Sequence, residues 1–104
     1  MTPPSAGSPT PHEVSDELRR VVGRWHQLPL DHALSHVPAV RALVQALADR
    51  VATARGVPTT AVPDLGPAVV MDQLAVMVHD VLAADPDVDP AVLVDALAGI
   101  RRGL

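Results

Sequence analysis

Trp25 is the only aromatic side chain in a chain of 104 residues, 48% of which are hydrophobic. With no Phe or Tyr, any core must be assembled from Val, Leu and Ala around that one large ring. Side chains this short let helices pack closely, and a chain of this length holds one core and no second lobe. Cys, Lys and Asn are missing as well. Several of the missing types have AT-rich codons, which points to a GC-rich, bacterial coding sequence.

The absences exclude whole classes of function. Without cysteine there is no disulfide framework, no Cys-ligated zinc or iron–sulfur centre and no thiol nucleophile. Without further aromatics there is no base-stacking platform and no aromatic cage. The net charge of −4 disfavours nucleic acid as the general partner. That charge is uneven, with six arginines and four acids in residues 15–60 but two arginines and seven acids in residues 61–104. The N-terminus lacks the basic and apolar regions of a signal peptide, and no uncharged run is long enough to span a bilayer, so no membrane role and a cytoplasmic setting are expected.

The pattern predicts an all-α chain, a small antiparallel bundle of three to four main helices, with residues 1–14 as a Pro/Ser-rich disordered tail and 15–104 as one helical domain. Ser15 reads as the N-cap of a first helix, with Leu18, Val21, Val22, Trp25 and Leu28 on one face and Pro29 as its stop. A short helical turn near residues 31–36 follows. The second long helix is expected from Pro38 to Arg55, with Val40, Leu43, Val44, Leu47 and Val51 inward and Gly56 as its left-handed cap. A third helix reads from Pro67 to about Ala84, and a fourth from Pro90 behind an Asp89 cap.

The third helix carries the most informative surface. Its polar residues Asp72, Gln73, His79 and Asp80 occupy one narrow wedge, and Val69 and Val76 fall inside that wedge. A helix apolar almost all round is either central to its domain or covered by another chain. Val69 and Val76 are therefore the candidate partner-binding residues, the partner being a protein or a second copy. Trp25 joins them as a possible hot spot, its alternative being the core.

Residues 51–65 resemble a helix-turn-helix in spacing: Ala52, Gly56, Val62 and Leu65 stand where that motif has its small, turn and inward apolar residues. The resemblance implies a DNA-associated transcriptional regulator. Pro63 would sit inside the recognition helix, and residues 58–66 carry no arginine to meet bases or phosphates. The Arg19, Arg20 and Arg24 face is the second nucleic-acid candidate. His32 and His36 have the four-residue spacing of a zinc pair but no third committed ligand, so no metal and no cofactor are expected. Asp85, Asp87 and Asp89 alternate faintly like a calcium loop, without its Gly and Glu. His79-Asp80 cannot pair squarely within one helix, and the few hydroxyls, Ser35, Thr53, Thr59 and Thr60, lack a nucleophile setting. The expectation is a non-enzymatic interaction or accessory module, with no catalytic residues.

Overall fold

The computed structural model describes residues 11–104, which form four helices: α1 (Pro11–Gln27), α2 (Leu30–Arg55), α3 (Val70–Ala84) and α4 (Pro90–Gly103). The all-α bundle is as the periodicity predicts. The expected tail falls mostly on residues 1–10, outside the described residues. Its last four residues, however, are helical, because α1 begins at Pro11 and not at Ser15. The reason is Val14, which is wholly buried and extends the Leu18, Val21, Trp25 stripe by one turn. Pro11 costs nothing there, since the first helical N–H has no partner to lose. Ser15 is no cap: its Oγ donates to the Pro11 carbonyl at 3.3 Å, one turn back.

The chain breaks at Leu28-Pro29 and re-enters helix at once, the Ala33 N–H donating to the Pro29 carbonyl at 3.0 Å. From there α2 runs for 26 residues straight through Pro38. The expected separate turn at 31–36 is thus the first part of α2, and the expected start at Pro38 is interior. Proline removes one hydrogen bond from a helix and strains the preceding turn. Here Ala33 before it and Val40, Val44, Leu47 and Val51 after it are all buried, so packing on both sides outweighs the break. Gly56 ends the helix at φ +68°, its N–H reaching Thr53 O at 3.1 Å and the Val57 N–H reaching Ala52 O at 2.9 Å. That pair is a Schellman cap, which only a residue tolerant of positive φ accepts easily.

Residues 67–69 form a turn, so α3 starts at Val70, three residues later than Pro67 suggests. The Asp89 carboxylate accepts the Ala91 N–H at 2.9 Å and starts α4 as expected. Asp85, in the α3–α4 connection, accepts the Asp87 N–H at 3.0 Å and an Arg50 Nε–H at 2.6 Å. Those bonds hold its carboxyl below the ordinary aspartate value, led by the one from Arg50. The aspartate run is turn chemistry, not a calcium loop.

In the packed molecule α2 lies chiefly against α3, and α1 against α4. The two pairs share one core in which Leu74, Leu97, Val21, Val40, Val44 and Val78 are almost fully enclosed. The Cα atoms span 51 × 33 × 15 Å with a radius of gyration of 14.3 Å, against about 13 Å for a compact chain of about 100 residues. The bundle is a flat slab.

Among the described residues Glu17 is the one charged residue inside, its side chain 5% exposed. It accepts hydrogen bonds from Arg101 Nε at 2.5 Å and from an Arg20 guanidinium nitrogen at 2.9 Å, fastening α1 to α4. Burial raises its pKa, but the two arginines more than offset this, so the carboxyl titrates below its ordinary 4.5. A depressed carboxylate stabilises the fold above the unfolded-state value and loses that contribution as pH falls through the folded-state value. Chemical denaturation between pH 7 and pH 3 should show this loss. Glu17→Gln should cost about 1–2 kcal/mol at pH 7 and flatten the acid side of the curve.

Candidate functional site

Residues 57–66 cross from α2 to α3 without helix. An extended segment with few internal hydrogen bonds needs partners for its backbone groups, and two glutamines supply them. Gln45 of α2 accepts the Val62 N–H at 2.8 Å and donates to the Thr60 carbonyl at 2.9 Å. Its amide also donates to Asp49 at 2.8 Å, which fixes the orientation of the side chain. Gln73 of α3 donates to the Pro63 carbonyl at 3.0 Å. Arg41 pairs with Asp64 at 3.1 Å, and Asp64 accepts the Gly66 N–H at 3.0 Å, closing the turn where Gly66 takes φ +91°. The loop is clamped to both helices.

Clamping it builds a groove of about 360 Å³, with α3 as floor and the loop as wall. Val69, Val76 and Met77 line the floor, and Val62, Pro63 and Leu65 the wall. Leu65 is 62% exposed and Val76 51% exposed, a large apolar fraction for two residues so close. Asp72 and Gln73 are the polar residues along its length. Beyond Val62 a second depression, of about 290 Å³, is bordered by Pro38, Arg41 and Gln45, whose polar groups already hold the loop.

The structure brings Val69 and Val76 together, as the wedge reading requires, and adds Leu65. Trp25 must be removed from the set. It is 8% exposed and belongs to the core cluster with Leu18 and Val21. The ring is inside because α1 presents it on the stripe that faces the other helices.

The helix-turn-helix reading loses its second helix. Gly56 caps α2 as the motif needs, but residues 57–66 contain no helical turn and Leu65 faces outward. Pro63 and the glutamine clamps hold this stretch extended. The arginine face is also engaged. Arg19 pairs with Asp16, Arg20 with Glu17, and Arg24 donates to the Leu104 carbonyl at 3.2 Å.

His32 and His36 share an intact turn of α2, their ring centroids 4.7 Å apart and edge-on. His32 Nε2 donates to the Leu104 carbonyl at 3.0 Å, so this ring ties α2 to the end of α4. Among the described residues no group of three or more His, Asp or Glu is placed to hold a metal ion. Nor is any helix among them long and apolar enough to cross a membrane. No protein family, characterised protein or solved structure matched the chain.

Gln45 and Gln73 hold the loop in a role that sequence reading does not assign to them. Gln45 lies opposite the apolar stripe of its helix and reads as a solvated side chain. The available signal was the loop itself, whose amides and carbonyls had to be satisfied by something on the facing helices. Removing the clamp should be measurable. Gln45→Ala should cost about 1 kcal/mol, the worth of a typical net hydrogen bond. Amide exchange should speed up at Val62 while the α1 and α4 amides stay protected, as expected of a local opening.

Proposed function

We propose that this chain is a non-enzymatic helical interaction module that associates, with a second copy or a protein partner, through the groove between α3 and residues 57–66. The observation that carries the reading is the apolar groove in which Val69, at the N-cap of α3, and Val76, within it, face Leu65 of the fixed loop wall. Two features support it. The wall is held by side-chain hydrogen bonds before any partner arrives, which lowers the entropy cost of binding. The slab shape also leaves broad faces relative to the core it encloses.

Light scattering of the full chain at micromolar concentration tests the proposal. A mass above that of the 10.9 kDa monomer, reduced to the monomer by Val76→Lys, is the expected result. A strict monomer that also captures no protein in a pull-down overturns it.

A further inference from the structure

Resting on that reading, we propose that the occupant of the groove is α3 of a second copy, running antiparallel, with a two-fold axis passing at Val76.

Val69 at the N-cap of α3, with Val76 and Ala83 within it, stand seven residues apart along one outer line, and none of the three is buried. Seven residues are nearly two helical turns, so the three form one seam of about 21 Å, the kind of row along which two helices pack. Between them, successive turns of about 100° per residue place Asp72 and His79 on one flank of Val76 and Gln73 and Asp80 on the other.

Shape then sets the direction. The groove is concave only along the N-terminal half of α3, where Leu65 and Pro63 rise beside Val69. The C-terminal half ends, on this side, in the exposed Ala83, with no bulk to fill a partner's surface. An antiparallel pair inserts the slim alanine end of each helix into the walled end of the other, so that Val69 and Leu65 meet the partner's Ala83. A parallel pair sets wall beside wall and alanine beside alanine, leaving the thin ends unpacked.

Polar complementarity agrees with this arrangement. A two-fold axis through Val76 and perpendicular to both helices turns each flank toward the same flank of the partner. Asp72 therefore meets the partner's His79, and Gln73 meets the partner's Asp80, each pair occurring twice. Every polar side chain beside the seam gains a donor or an acceptor, which an isologous interface requires of a self-complementary surface.

The absence of native cysteine makes the geometry directly testable. Three single variants, Val69→Cys, Val76→Cys and Ala83→Cys, are oxidised in the full chain, and the products are resolved by mass. Val76→Cys should cross-link to itself, while Val69→Cys and Ala83→Cys should not, since their copies lie about 21 Å apart, far beyond the Cα separation a disulfide spans. Mixing Val69→Cys with Ala83→Cys should restore the cross-link. Independently, His79→Asp should weaken association about threefold to tenfold by facing two carboxylates, with the melting curve of the monomer unchanged. Self-cross-linking of Val69→Cys would show a parallel pair and overturn the proposal. A dimer in light scattering without a Val76→Cys cross-link would overturn it while leaving the proposed function standing on another surface. A monomer by light scattering that still captures a protein partner would reject the second copy alone; with no capture either, both readings fail.

Discussion

Trp25→Ala is expected to remove about 3–5 kcal/mol of stability, the usual cost of truncating a buried large aromatic. Small domains have about 5–15 kcal/mol in total, so this one change takes the molecule close to its unfolding threshold. The context argues for the upper part of that range. Trp25 is 8% exposed in a cluster otherwise built from Val, Leu, Ala and Met, with no second aromatic ring among its members. A cavity that cannot collapse costs more than the lost transfer energy of the atoms removed. Because Trp25 is the sole fluorescent side chain, the variant must be followed by far-ultraviolet circular dichroism in urea. The midpoint should fall sharply, whereas Trp25→Phe should lose less. A Trp25→Ala chain with the native midpoint and weakened association would instead place the ring in an interface.

The regular parts of this fold were legible because they depend on local periodicity. The inward stripes of α1 and α2, the Gly56 cap and the Asp89 cap each rest on residues within a few positions of one another. The structure departs from the local pattern where tertiary contacts override local preference. Pro38 reads as a helix start, yet lies within α2 because Ala33 and Val40 are buried on either side of it. Pro11 begins α1 because Val14 reaches the core, a fact that composition in a proline-rich stretch conceals. The Glu17–Arg101 bond joins positions 84 apart, and no local pattern announces it.

The site was legible in the same proportion. Val69 and Val76 could be singled out because an apolar residue in a polar wedge is a local anomaly. Leu65 could not, since its outward position depends on how residues 57–66 are tied down. Those ties come from Gln45 and Gln73, on two different helices. Trp25 shows the converse, for a lone tryptophan has the same sequence signature in a core as in a hot spot. Only its burial decides between them.

Val76→Lys is the second large effect expected. Fully burying an exposed valine is worth about 1.5–3 kcal/mol; Val76 is 51% exposed, so the interface gains about half of that from each copy, and a two-fold axis loses it twice. Two lysine charges would also be brought face to face, so association should weaken by at least about 100-fold. The monomer should be untouched. Val76 is 51% exposed on a helix, where lysine is a better helix former than valine. Its unfolding free energy should stay within about 0.5 kcal/mol of the native chain. A folded chain that no longer associates separates an interface residue from a core residue, the reverse of what Trp25→Ala should show.

Self-association through the outer side of α3 is measured most directly by sedimentation velocity on the native chain and on Val76→Lys across a micromolar concentration series. A dimer that forms with rising concentration is expected for the native chain, and a monomer throughout for Val76→Lys. A native chain that remains monomeric across the series, or a Val76→Lys chain that dimerises as well as the native one, would contradict it.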